Sequence, residues 1–366
     1  EILPKVTMDW SALSTEDVAW SFKKTGVLLC LDVPSGTSFG CDIRSWETGE
    51  KFKGIKLIPP GLRFFHYSCG HGLTQGFFLF FGTNEDATSN YCIEDGPQVY
   101  VRRWDADLEM FAVPKRSDYD DDERYKMGVR RMDFDSSLGA YQPQDFVRWR
   151  QLTNLIDLEV LTICNLEPGI EISPGKHEPS FPEFPNLIEF SKMQRKNFKE
   201  GKNVMSTKPH FLKLFATAQQ KTELAMDASP LLEALVCYEF GKDLDNFMGV
   251  FQLSFVLFMY ISSLNGLEYW KKVVALICDS ASYQLENVRF TEVFLQIFTE
   301  QITFLPQSLF TDELLNDNFL MLSLSKLIFE DRDLHTSKIQ SSLRTLERSI
   351  SSQFGSSIVT MLRENV

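Results

Sequence analysis

Apolar residues change their spacing once along this chain. From Val27 to Trp104 they come in short runs, VLLCLDV, LRFFHYS, GFFLFF and QVYVRRW, bounded by Gly, Pro and Asn-Glu-Asp clusters. Aromatic and β-branched runs of that length predict β-strands, and several in succession predict an antiparallel sheet, a sandwich or a partly open barrel. The sharpest boundary is Ile58-Pro59-Pro60-Gly61. Pro60 presets the backbone angle of a turn's second position and Gly61 can take the positive angle that a type II turn needs at its third, so Phe52 to Ser68 reads as strand, turn, strand. A helix is expected before the strands, with Ser14 and Asp17 as a capping-box-like pair and Gly26 as its left-handed stop. Another is expected from Pro143, because Phe146, Trp149, Leu152, Thr153 and Ile156 recur on one face.

Beyond Pro209 the spacing becomes helical. Ser229-Pro230 opens a helix that Gly241 closes, and Asn265 with Glu268 precedes a face of Trp270, Val273, Val274 and Ile277. Further helices are expected over about Thr291–Phe304, Asp317–Phe329 and Thr336–Phe354, packed as a bundle or array. Between the two regimes, Pro168, Pro174, Pro179, Pro182 and Pro185 mark an extended linker. The acidic run Asp118 to Glu123 is expected as a solvated loop, since adjacent like charges resist burial. It lacks the glycine and alternating ligands of a calcium loop. The pattern thus predicts an α+β multidomain chain. Residues 1–165 form a β-rich, sandwich-like domain with flanking helices, 166–205 the linker, 206–355 an all-α domain and 356–366 a tail. The tail, SSIVTMLRENV, reads as a strand-forming segment or a frayed helix end.

Length agrees with two domains, because 366 residues exceed what one core usually organises. With 37 basic against 50 acidic residues the net charge is -13, which argues against binding a phosphate backbone as the main activity. Seven cysteines, Cys30, Cys41, Cys69, Cys92, Cys164, Cys237 and Cys278, follow no repeated spacing and fit reduced thiols of the cytosol or nucleus. The chain opens on Glu1, a processed or trimmed start, and shows no secretory signal. The most apolar run, Phe247 to Ile261, falls short of the roughly 20 residues that span a bilayer and contains Gln252 and Ser254, so a buried core helix is expected.

One cluster invites a chemical reading. His66, Cys69 and His71 have zinc-ligand residue types, and a cysteine beside a histidine can be an activated nucleophile of a metal or thiol hydrolase. A structural zinc needs four ligands, however, and no second pair lies at a convincing spacing. No phosphate-binding GxxxxGK[ST] loop or HExxH occurs. Phe77, Phe78, Phe80 and Phe81 have no interleaved Lys or Arg, which favours core packing over base stacking. The serine-rich end, Ser349 to Ser357, is expected as a solvated helix end.

A longer pattern surrounds the double proline. Pro34, Gly36, Thr37, Phe39-Gly40, Ser45-Trp46-Glu47 and the run Lys56-Leu57-Ile58-Pro59-Pro60-Gly61 leading to His66-Tyr67-Ser68 together resemble the N-terminal domain of the A1-alpha2 repression splicing factor family, assembly chaperones of U5 snRNP. Leu138-Gly139-x-Tyr141 with Trp149 and Leu152-Thr153-Asn154 resembles the helix closing that domain. Phe251-Gln252 through Phe258, Glu268-x-Trp270-Lys271 and Asp317-Asn318-Phe319-Leu320 resemble the helices of the second domain. The pattern departs at Thr83–Pro97 and Asp118–Arg130, which look like insertions. The resemblance implies an all-α C-terminal domain of the VHS type and no enzyme activity, cofactor, metal or catalytic residue. It implies a monomer in a hetero-complex with the largest U5 scaffold protein, pre-mRNA-processing factor eight, contacting its RNase H-like and Jab/MPN domains and blocking premature RNA or helicase engagement. Direct binding of nucleic acid or membrane is not expected, and the expected location is the cytoplasm, with the nucleus as a second compartment. Partner binding is assigned to Ile358, Val359, Thr360, Met361 and Leu362, added as a strand to a sheet edge of the partner.

Overall fold

β1 (Gly26–Leu31) is apolar along its length because both of its faces are covered. The computed structural model describes residues 25–70, 72–82, 96–113, 115–175, 177–184, 226–306, 319–329 and 334–364. In it, Leu28 and Cys30 belong to one core and Val27, Leu29 and Leu31 to another, as strand alternation requires. The expected helix at Ser14 and Asp17 lies outside the described residues, as do His71, Cys92, most of Thr83–Pro97, Asp317-Asn318 and the linker beyond residue 184. Gly26 is no helix stop: it is the first residue of β1, paired with Ile58 and Gln98.

The remaining strands are β2 (Ser38–Cys41), β3 (Arg44–Glu47), β4 (Gly54–Ile58), β5 (Gly61–Ser68), β6 (Gln75–Phe81), β7 (Gln98–Asp105), β8 (Met110–Phe111) and β9 (Gly139–Ala140). They form two sheets, ordered β8-β7-β1-β4-β9 and β3-β2-β5-β6. The second sheet is antiparallel throughout, whereas β1–β7 and β4–β9 in the first are parallel. A sandwich core fills the space between, with Leu28, Ile58, Phe39, Phe65, Phe77 and Phe81 from both sheets. The far face of the first sheet is covered by α1 (Tyr119–Arg130), whose Val129 packs with Val27, Leu29 and Val99.

The acidic run expected as a loop is therefore the start of a helix. Asp118 is the N-cap, and Asp120, Asp121 and Asp122 occupy the first turn, where the unpaired backbone N–H groups and the helix dipole favour negative charge. Arg103 of β7 adds a second reason, with Nη2 2.6 Å from Asp122.

α2 (Pro143–Thr153) buries Trp149, Leu152 and Thr153 on the expected face, and Trp149 Nε1 donates to the Leu62 carbonyl at 2.8 Å. α3 (Leu158–Ile163) follows, capped by the Asp157 carboxylate on the Val160 N–H at 2.9 Å. The expected linker does not begin as a free segment. Leu166, Glu171 and Ile172 are buried, and Ile172 bridges to Gly76 of β6. The chain divides into two compact units, Glu1–Pro179 with Tyr260–Ser263 and Ser180–Met259 with Leu264–Val366.

The second unit is helical at every described element: α4 (Ser229–Tyr238), α5 (Leu244–Ile261), α6 (Leu264–Cys278), α7 (Ala281–Glu286), α8 (Val288–Ile302), α9 (Phe319–Phe329), α10 (Ser337–Phe354) and α11 (Ser356–Glu364). α5 is long and apolar enough to cross a membrane. It is instead the core helix that its length suggested, with Phe247, Phe251 and Phe255, and even Gln252 and Ser254, fully buried. Phenylalanines at four-residue steps on α5 meet others at four-residue steps on α8: Phe247 with Phe290 at 5.8 Å and Phe251 with Phe294 at 5.7 Å. Trp270 of α6 joins them, 5.7 Å from Phe255, and its Nε1 donates to Gln301 Oε1 at 2.9 Å. Phe181 of the proline-rich segment stacks on Tyr269 at 4.8 Å within the same unit.

Candidate functional site

The double proline does not close a hairpin. β4 lies in the five-stranded sheet and β5 in the four-stranded one, so Pro59-Pro60 carries the chain around a corner from one layer to the other. Two backbone features prepare the corner. The register of β1 against β4 shifts between Gly26 and Leu28, and Leu57 has a φ of 61°, which marks a bulge that sends Leu57 to the helix-covered core and Ile58 to the sandwich. After the prolines, Gly61 has a φ of 107°, the positive angle the turn demanded.

Arg63 holds this corner from inside. Its Nε donates to the Pro59 carbonyl at 3.1 Å, Nη2 to the Pro60 carbonyl at 2.7 Å, and Nη1 to Asp42 Oδ2 at 2.8 Å. The guanidinium is 2% exposed and the Asp42 carboxylate 0%. Asp42 sits between β2 and β3 with a φ of 56°, and it also accepts from Tyr141 Oη at 2.7 Å and Phe64 N at 3.0 Å. Burial opposes the Arg63 charge, but the charge and hydrogen bond of Asp42, with Tyr141 and Cys41 beside them, together outweigh it and hold the pKa above its ordinary value, so Arg63 stays a cation. Three separate segments thus meet at one buried ion pair.

The expected chemical cluster does not assemble on β5. Phe65 and Tyr67 face the sandwich core and Cys69 packs against it, whereas His66 is on the opposite face of the strand. His66 is buried, with Nε2 3.2 Å from the Asp42 carbonyl and its ring 5.8 Å from Phe64. Gly40 of β2 makes room for it, since a Cβ there would lie 2.1 Å from the imidazole. Burial pushes the His66 pKa down to about 4, against the hydrogen bond to Asp42, so the ring is neutral near pH 7. The polar neighbour of Cys69 Sγ is the Thr37 hydroxyl, at 3.7 Å. No hydrogen bond joins His66 to Cys69 among the described residues, and none of these residues forms a group of three or more His, Cys, Asp or Glu that could hold a metal ion. Cys30, Cys41, Cys69, Cys164, Cys237 and Cys278 are free thiols, and burial pushes Cys164 up to about 12.

The basic approach to the corner is divided in role. Lys56 is engaged internally, with Nζ 2.5 Å from Asp135 Oδ1 and 3.1 Å from its carbonyl, whereas Lys51 is exposed.

At the other end of the chain, the residues assigned to partner binding are helical and not a strand. Gly355, with a φ of 95°, separates α10 from α11, and Ile358 and Leu362 are buried. Leu362 also accepts from Ser325 Oγ of α9 at 2.6 Å, and Arg363 pairs with Glu347 of α10 at 2.9 Å. Thr360 and Met361 are exposed and Val359 half-buried.

Pattern reading missed the polar partners of the corner, Asp42, Arg63 and Tyr141. One signal was present: an arginine inside LRFFHYS, a run otherwise suited to a buried strand, demands a buried acid. Which acid it meets is a matter of tertiary contact.

A family model described as AAR2 N-terminal domain matches residues 24–165, and one described as AAR2 C-terminal repeat region matches residues 206–358. The chain is similar to Protein AAR2 homolog of Homo sapiens, 25% identical over 347 residues that cover 83% of this chain and 82% of that one. It is likewise similar to Protein AAR2 homolog of Caenorhabditis elegans, 27% identical over 347 residues covering 88% and 91%. Protein AAR2 homolog of Mus musculus is 26% identical over 347 residues, with 83% and 82% covered.

Proposed function

The chain belongs to the AAR2 family, and on that premise we propose that it is a splicing-related assembly factor of U5 snRNP that acts by binding, without turnover. Its partner is the largest U5 scaffold protein, held through the RNase H-like and Jab/MPN domains, and the bound state blocks premature RNA or helicase engagement. It works in the cytoplasm, with the nucleus as a second compartment. The observation that carries this reading is the pair of family matches, which together extend over most of the chain. Charge supports it as well: a net charge of -13 suits a protein that covers RNA-binding, basic surfaces of another. The neutral, enclosed His66, set on the opposite face from Cys69, supports binding over hydrolysis.

Ile358, Val359, Thr360, Met361 and Leu362 are the residues proposed to face the partner. As a helix, α11 offers Thr360 and Met361. Use as an added strand requires α11 to unfold, because Ile358 and Leu362 are its buried anchors.

Affinity purification of the full chain from cells, followed by identification of co-eluting proteins, tests the assignment. The scaffold protein and other U5 components are expected with the wild type and equally with a Cys69→Ala, His71→Ala double variant. Absence of U5 components from the wild-type eluate would overturn it.

A further inference from the structure

After α3 the chain folds back onto the first unit as a strap. Gly169 N–H donates to the Phe78 carbonyl at 2.7 Å, and Ile172 exchanges bonds with Gly76, its N–H donating at 2.7 Å and its carbonyl accepting at 3.0 Å. Residues 169–172 therefore lie along β6, the outer strand of its sheet. An outer strand with free N–H and C=O groups is a template for another chain, and here the chain's own strap covers part of it.

Between the bonded residues of the strap lies an acid. Glu171 is 4% exposed and accepts a hydrogen bond from the Tyr67 hydroxyl. That hydroxyl oxygen in turn accepts from Phe111 N–H at 3.1 Å. The Arg102 guanidinium stands over Phe77, 5.1 Å from its centroid, and donates through Nη2 to the Gly169 carbonyl at 3.0 Å. It grips the strap's backbone, so the hydrogen bond received by the Glu171 carboxyl comes from a neutral phenol. An ionised carboxylate in that setting is poorly compensated for the water it has lost.

We propose that residues 169–173 are a proton-sensitive latch on the β6 edge, closed while the Glu171 carboxyl keeps its proton and released as it ionises. An open latch bares the backbone of β6, where an extended segment of another chain can add. Burial pushes the Glu171 carboxyl up from 4.5 to about 8, opposed by the Tyr67 hydrogen bond and the Arg102 charge. The other titratable groups around the cluster are Tyr67 and Cys69, Arg102 and Tyr100 of β7, Cys30 of β1 and Asp122 of α1. Burial moves Tyr67 and Cys30 further up, so neither ionises below pH 8. In an open strap Glu171 meets water and titrates at its ordinary value. The closed form then binds a proton that the open form has lost, and closure weakens roughly tenfold per pH unit between about 4.5 and about 8.

Amide hydrogen exchange of the full chain, followed residue by residue from pH 5 to pH 8 and corrected for intrinsic rates, tests the latch. Protection of Gly76, Gly169 and Ile172 is expected to fall with pH at that slope, while Leu28, paired inside the other sheet, serves as a reference without it. Glu171→Gln keeps the acceptor and removes the charge, so its strap is expected to be equally protected across the range and better protected than wild type at pH 8. A wild-type strap whose corrected protection is level with pH overturns the latch, and so does a slope that survives in Glu171→Gln.

Discussion

His66 shows how a single residue acquires its role from what encloses it. The imidazole is seated over Gly40, against Phe64 and the Asp42 carbonyl, and burial there outweighs the one contact that favours the cation, the hydrogen bond to that carbonyl. Its folded pKa of about 4 lies below the ordinary 6.5, so the native state resists a proton that the unfolded chain takes up. The stability this contributes is present above pH 6.5 and is lost as the pH falls through 4, by roughly 3 kcal/mol in all. Denaturant titrations of wild type and His66→Gln at several pH values check this. The wild type is expected to lose its stability relative to the variant over that window, and parallel curves would rule the account out. Residue types at positions 66, 69 and 71 suggested a site because they were counted along the chain. Strand alternation, already legible in LRFFHYS, places 66 on the face opposite 65 and 67, away from the core against which Cys69 packs, and that argument outweighs spacing.

Elements were legible where periodicity was strong. β1, β5, β6 and β7 occur at the four apolar runs, and α2, α6, α8 and α10 fall close to their expected spans. The short β2 and β3 were not found, because four residues such as Arg44–Glu47 carry too little pattern. One segment changed type and another, left open between strand and helix end, was decided, each for an identifiable reason. The run Asp118 to Glu123 became a helix start because the first turn of a helix stabilises the charges that repel in a loop. The tail is a helix because Ile358 and Leu362, four apart, share one face and find α9 and α10 to cover it. Leu362→Ala is accordingly expected to cost roughly 2–5 kcal/mol of the helical unit's stability, while Met361→Ala on the exposed face changes it by less than about 0.5 kcal/mol. Thermal or urea unfolding of the two variants checks the contrast, and equal effects would mean that α11 does not dock through Leu362.

For the whole molecule, charge sets an expectation that no single element carries. A chain with a net charge of -13 meeting a basic partner should associate faster than neutral surfaces do, and the advantage should fade as salt shortens the Debye length from about 10 Å at 0.1 M to about 3 Å at 1 M. Stopped-flow or surface-binding rates with the purified scaffold domains are expected to fall by at least tenfold across that range; a rate indifferent to salt would remove electrostatic steering from the account. The amino-acid sequence by itself determined the change from strand to helix, the corner at Pro59-Pro60-Gly61, the burial of Phe247–Ile261 and membership in a family. Each follows from local periodicity, from the backbone limits of proline and glycine, or from a long compound pattern. Only the tertiary structure decided that the corner joins two sheets rather than two paired strands, that Arg63 meets Asp42 and Tyr141 inside it, and that Glu171, in a strap along β6, meets Tyr67. Those facts depend on groups 21, 78 and 104 positions apart coming within hydrogen-bonding distance, and no local pattern encodes which distant partner a buried charge will find.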